Sequence, residues 1–354
     1  MGEAKQPATI ATDRESVGKW KAIVAEYQKP NAYRAGWQVL NSVGAYVGLW
    51  GLMYLTHFHL HSWWLTIALA LLAGTLLVRV FIIFHDCGHG SFVKSRKVNN
   101  VLGFITGLLT FTPYYHWRWE HSVHHATSGD LSQRGMGDVW TLTVKEYLES
   151  SRWKKLAYRL FRNPIVMFVI GPIFLFIVLE RFPTRKAKPR EKRSVWLMNF
   201  AVVALAGILI SIFGFLPWLA IQFTAMTIAS SIGVWMFYVQ HQFEDTYWRS
   251  REQWDYTTSA MAGSSFYKLP SILNWFSGNI GYHHIHHLNH KIPFYRLPEA
   301  MKALAELQNP GSITINPINI YFHNFFPHIV RKFFKRFYIF IFIIWRKIYS
   351  SIVD

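Results

Sequence analysis

Charge is scarce in this chain, and acidic charge scarcer still. Of 354 residues only 19 are Asp or Glu, against 37 Lys and Arg, and the four charged types make up 16% of the sequence. Hydrophobic residues make up 51% and aromatics 17%, and the mean hydropathy is +0.14. The apolar residues are bunched into runs, which points to a membrane protein rather than two soluble domains. Cysteine is almost missing: Cys87 stands alone, which excludes an intramolecular disulfide framework. No short apolar core lies near the start, where residues 1–36 are polar and mixed in charge. The expectation is therefore no cleavable signal peptide, with targeting left to the first internal apolar run. The formal net charge of +18 raises nucleic acid as a partner. The basic residues, however, flank apolar runs in short loops and termini, where they set topology and meet anionic headgroups, so nucleic acid is not expected.

Four runs are long enough to cross a bilayer: residues 37–55, 63–84, 196–213 and 216–240, the last entered through a Leu216-Pro217 turn. They form two hairpins. Residues 101–115 and 164–179 are apolar but only 15 and 16 long, short of the ~20 needed to span, and read as re-entrant or interfacial segments. The first 36 residues read as a cytosolic segment carrying an amphipathic surface helix over 16–27, from the spacing of Val17, Trp20, Ile23, Val24 and Tyr27. Residues 37–318 form the membrane domain, and 319–354 a basic, aromatic tail. That tail is either an interfacial anchor or the product of an altered reading frame. The predicted fold is an all-α integral membrane protein of four transmembrane helices, with short interfacial helices and a cytosolic, histidine-rich helical cap.

What is plentiful is histidine, and it is clustered. His85 and His89 follow the second span four residues apart, one helical turn, and so share a face. Two further clusters, His121/His124/His125 and His283/His286/His287, both read His-x-x-His-His. His241, at the exit of the fourth span, makes a ninth candidate. Neutral imidazole suits iron, copper, zinc or nickel and not calcium or magnesium. Nine nitrogens exceed what one ion takes, so the count favours a dinuclear site, with iron and zinc left open by spacing alone. The alternating His57, His59 and His61 fit a tight interfacial turn better than a metal site, and Cys87, off the face shared by His85 and His89, is expected to pack.

Topology brings these clusters together. In residues 181–193 seven of thirteen residues are basic, which marks that loop as cytoplasmic. If the two short apolar segments do not cross, the second and fourth spans both return to that side, and every candidate ligand lands just beyond the hydrocarbon there. Asp86, Glu120, Asp130, Asp138, Glu244, Asp245 and Asn279 lie close enough in sequence to be outer partners that fix histidine tautomers.

The order of the three boxes, interleaved with two apolar hairpins, resembles the membrane fatty-acid desaturase family. Residues 84–91, 117–129, 137–140, 237–241 and 278–283 are similar to its bacterial acyl-lipid branch, which includes the cold-induced desaturases of bacilli. The likeness covers about residues 35–318. It implies an oxidoreductase that uses O2 and two electrons at two iron ions to place a cis double bond in acyl chains of membrane phospholipids. Carried over, the iron ligands are His85, His89, His121, His124, His125, His241, His283, His286 and His287. Where stearoyl-type relatives hold a water on asparagine, this chain has Phe237, and that role is not carried over. The resemblance favours Δ5, with Δ12 or Δ9 as alternatives, and a multi-pass protein of the bacterial plasma membrane with its site on the cytoplasmic side. No His-Pro-Gly-Gly motif of a fused cytochrome b5 is present, so electrons are expected from a separate ferredoxin- or flavodoxin-like protein. The basic stretches 94–97 and 181–193 would suit an acidic carrier. A hydroxylase or ketolase is the alternative on the same scaffold. A metal transporter is more remote, because its ligands belong inside broken spans near mid-bilayer.

Overall fold

The computed structural model describes residues 24–243, 245–303 and 314–315. Most of the expected surface helix at 16–27, Glu244 and the tail at 319–354 lie outside the described residues. The chain divides after Thr314 into two units. Apart from two-residue strands at Phe266–Tyr267 and Thr314–Ile315, its described elements are helical.

Among the described residues four helices are long and apolar enough to cross a membrane: α1 (Ala32–Phe58), α2 (Trp63–His89), α8 (Pro189–Phe213) and α9 (Phe215–His241). At ~1.5 Å per residue each reaches about 40 Å, more than the ~30 Å of hydrocarbon. They run past the bounds read from the sequence because helices continue into flanking polar residues. Pro217 is not a turn. It sits in the first turn of α9, where its missing N–H has no intrahelical partner to lose. The shorter elements are α3 (Arg96–Leu109), α4 (Tyr114–Thr127), α5 (Val144–Glu149), α6 (Arg152–Phe161), α7 (Gly171–Ile177), α10 (Tyr256–Ala262), α11 (Ser271–Phe276), α12 (His283–Leu288) and α13 (Leu297–Ala303).

The run expected over 101–115 is two elements, since helix breaks at Thr110 to Pro113 and restarts as α4. The apolar stretch over 164–179 begins with one wide turn, Val166–Ile170, before α7. Together with α6 it makes a helix pair bent by 64°.

Helices α1, α2 and α9 share a buried core that includes Met53, Ala70, Ala73, Leu77, Val80 and Ile221. Inside a bilayer such contacts gain by close packing more than by leaving water, so small residues matter at crossings. At Gly74 a Cβ would stand 2.6 Å from the carbonyl oxygen of Ala225 and 2.8 Å from Ile228 Cβ; only glycine permits that approach. Gly74 lies fifteen residues before His89 and Ala225 sixteen before His241, so α2 and α9 run in the same direction and end side by side. Helix α8 instead exposes Trp196, Phe200, Val203 and Ile208, a surface suited to lipid.

One cation is buried within a span. The Nε of Arg79 donates to Ser42 Oγ at 3.0 Å, and its other nitrogens donate to Gln38 Oε1 and the carbonyl of Trp275. The guanidinium also lies 4.3 Å from the Trp275 ring. Ser42 falls in the wide turn Leu40–Gly44 of α1. The charge is thus satisfied by neutral oxygens and a ring face rather than by an acid.

Candidate metal centre

Histidines from four elements meet where α2 and α9 end. His85 and His89 come from the last turn of α2, with ring centroids 4.6 Å apart. His121, His124 and His125 lie on α4, His241 is the last residue of α9, and His283, His286 and His287 lie on α12. They form two groups whose ligand atoms are mutually within 4.8 Å: His85, His89, His121, His125 and His286 in one, His124, His241 and His287 in the other. His283 adjoins the second group, its Nε2 2.8 Å from that of His241. Eight of the nine candidates thus fall into groups of five and three, each able to hold a metal ion, with His283 beside the smaller one. His57, His59 and His61 belong to the opposite end of the α1–α2 hairpin.

The outer partners fix which ring nitrogen carries the proton. His85 Nδ1 lies 3.0 Å from Asp86 Oδ1, whose second oxygen accepts the backbone N–H of Phe294 at 2.6 Å. His124 Nδ1 lies 2.9 Å from Asp138 Oδ1, and His241 Nδ1 3.3 Å from the carbonyl of Gly263. Each oxygen accepts from the ring, so in its metal-binding form each of these imidazoles carries its hydrogen on Nδ1 and leaves Nε2 bare. His124 Nε2 and His241 Nε2 then face each other at 3.2 Å. Two lone pairs at that distance repel, and His124 and His241 would be relieved of that repulsion by holding a cation. The Nε2 atoms of His125 and His286 stand 3.0 Å apart in the other group, and those of His121 and His125 3.1 Å. His89 Nε2 and His287 Nε2 are buried with no hydrogen-bond partner. The donor set fits two transition-metal ions.

Burial, and then the neighbouring imidazoles, push the pKa of His121, His125, His283, His286 and His287 well below the ordinary 6.5. At neutral pH they are uncharged, the form that ligates metal. The walls are aromatic. Trp117 stacks on His121 with centroids 4.3 Å apart, and Phe237 lies 5.2 Å from His124 and 5.0 Å from His241.

Of the expected outer partners, Asp86 and Asp138 reach box histidines and others go elsewhere. Glu120 faces His116 at 3.6 Å, and burial raises its pKa to about 7. Asp130 pairs with Arg251 and caps Ser132 N. The Asn279 amide donates to the carbonyl of Phe294, and Asp245 is exposed. Asp138 is placed by its neighbour Gly137, whose φ is +71° and where a Cβ would stand 3.0 Å from His124 Cβ. Sequence reasoning missed the Gly263 carbonyl, which carries no side-chain signal, and His290, which packs 4.9 Å from His89. The only trace of His290 was its place three residues after His287.

Comparison with known proteins matches this architecture. The fatty acid desaturase family model aligns with residues 62–319. The chain belongs to the fatty acid desaturase family. It is 48% identical over 307 residues to a fatty acid desaturase of Bacillus subtilis (strain 168), covering 87% of this chain and 86% of that one. It is also 28% identical to two proteins of Synechocystis sp. strain PCC 6803. One is an sn-1 acyl-lipid omega-3 desaturase (ferredoxin), with 80% of this chain and 78% of that one covered. The other is an sn-1 oleoyl-lipid 12-desaturase, with 82% and 81% covered. The protein is therefore a membrane enzyme, a fatty acid desaturase, and its reaction class is oxidoreduction.

Proposed function

We propose that the protein is an O2-dependent acyl-lipid desaturase that introduces a cis double bond into acyl chains of membrane phospholipids, with Δ5 favoured over Δ12 and Δ9. The convergence of two histidine groups at the paired ends of α2 and α9 carries this reading. His85, His89, His121, His125 and His286 would hold one iron ion, and His124, His241, His283 and His287 the other. When bound, the iron pair supplies the oxygen activation that removes hydrogen from two adjacent methylene groups.

The chain's own residues do the rest. Asp86, Asp138 and the Gly263 carbonyl hold protons on Nδ1 and so keep the inner nitrogens bare. Trp117 and Phe237 make an apolar wall that keeps water from the reacting methylenes. Ligands on the ends of membrane helices stand level with the start of the acyl chains, so a lipid need not leave the bilayer. The ferredoxin named for the cyanobacterial relative supports an external ferredoxin- or flavodoxin-like donor here. The basic loop over 181–193 supports a cytoplasmic site in the bacterial plasma membrane.

The test is the fatty-acid profile of a desaturase-deficient bacterium expressing this chain, with methyl esters derivatised to locate any new double bond. A new cis monoene at position 5 is expected. A hydroxy or keto product would move the enzyme to the alternative chemistry. No product in membranes supplied with iron and reduced ferredoxin would overturn the proposal.

A further inference from the structure

Beyond the nine candidate ligands, a further imidazole stands at the centre without a role. His290 follows the third box, just after α12 ends at Leu288. Its backbone is set by Asn289, whose N–H donates to the carbonyl of Ile285 while its side chain accepts from Lys291 N at 3.2 Å. That turn lays the His290 ring against the five-histidine group, 4.9 Å from His89 at an interplanar angle of 35° and 5.5 Å from His125.

Two further observations point to a ligand. His290 Nδ1 is buried and has no hydrogen-bond partner, and His89 Nε2 is in the same condition. A buried imidazole nitrogen without a partner is costly unless something binds it. Here two such nitrogens belong to rings in contact. His125 and His286 are buried, whereas His89, His121 and His290 are partly exposed. His290 therefore stands on the open rim of the group rather than beneath it.

We propose that His290 is a tenth imidazole of the metal centre, a rim ligand that binds the ion of the five-histidine group as it enters and helps to retain it. The inference rests on the reading of the two histidine groups as metal sites. Ligand and near-ligand substitutions cost about 10–100-fold in metal affinity, so His290→Ala lowers the affinity of one of the two ions by at least about tenfold and leaves the other unchanged.

The experiment uses the full-length protein in lipid nanodiscs. Ferrous iron is titrated anaerobically into wild type and His290→Ala against a competing chelator. Cobalt(II) spectra are then taken of wild type and His290→Cys. A thiolate at the rim bonded to cobalt adds a sulfur-to-metal charge-transfer band that the wild type lacks. The proposal predicts both a selective loss of affinity in His290→Ala and the new band in His290→Cys. Unchanged affinities, or no band from a His290→Cys protein that binds cobalt, overturn it. If wild type itself binds no metal, the reading of the histidine groups fails instead. Should His290→Ala not fold, the cobalt spectrum of His290→Cys decides alone.

Discussion

His124 and His241 point Nε2 at Nε2 across 3.2 Å while each gives its Nδ1 proton away, one to Asp138 and the other to the Gly263 carbonyl. The pair comes from α4 and α9, so a metal ion held by both would also tie α4 to the end of α9. His124→Ala should abolish desaturation while membrane insertion stays intact, and His286→Ala should do the same from the other group. Double-bond formation in whole cells, beside membrane-fraction blots, checks both. Full activity in either variant would sink the ligand assignment.

Asp138 acts on His124 from outside the groups, so its loss should be graded by what replaces it. Asp138→Asn keeps an oxygen that accepts the Nδ1 proton, whereas Asp138→Leu frees the tautomer. We expect metal affinity at the His124 group to fall by about tenfold for the first and towards 100-fold for the second. Affinity at the five-histidine group should not change. A two-site metal titration separates these outcomes.

Gly137 makes that support possible. At φ +71°, with His124 Cβ 3.0 Å from any added Cβ, Gly137→Ala costs about 1–2 kcal/mol in backbone strain and moves either Asp138 or His124. The expected result is a phenotype like that of Asp138→Leu, with weaker metal at the His124 group and lower turnover. Wild-type affinity at that group would contradict it.

The same loop has a pH limit. Arg134 donates to both carboxylate oxygens of Glu146, at 2.9 and 2.6 Å, and to the carbonyls of Leu131 and Thr141. Glu146 also caps the Thr143 N–H. The Arg134 guanidinium and then the Thr143 N–H hold the Glu146 pKa at about 2, against an ordinary 4.5. Depression of an acid's pKa means the pairing contributes fully above 4.5 and is lost as pH falls through about 2. Amide protection over residues 131–143, taken relative to the intrinsic exchange rate at each pH, should therefore hold from pH 8 to about 4.5 in wild type and fall as the pH drops towards about 2. In Glu146→Gln the protection should be lower than in wild type above pH 4.5, converge with it as the pH falls towards about 2, and lack the wild-type acid dependence. Identical exchange in the two proteins would remove Glu146 as the anchor of the loop.

Regular spacing on helices was legible in the sequence. A one-turn interval placed His85 with His89, the repeated His-x-x-His-His pattern marked the other two clusters, and the pairing of spans drew in His241. What periodicity could not supply was orientation and loop geometry. Glu120 precedes His121 directly, yet one residue on a helix turns the side chain by about 100°, so it meets His116 instead. Asp138 reaches His124 only through a glycine-dependent loop, which helical spacing does not describe. Pro217 suggested a turn because proline breaks helices, but the first turn is where a helix tolerates it. His290 stands beyond the end of α12, where no period applies.

Arg79 has a consequence for the order in which the protein is made. Two of its partners, Gln38 and Ser42, belong to α1 and are synthesised before it, whereas the carbonyl of Trp275 follows 196 residues later. The first hairpin can thus shelter the guanidinium as soon as α1 and α2 pair, so the charge is never left bare to lipid. Its third contact closes only when α11 folds back, so the completed brace records that the segment preceding the last histidine box has arrived.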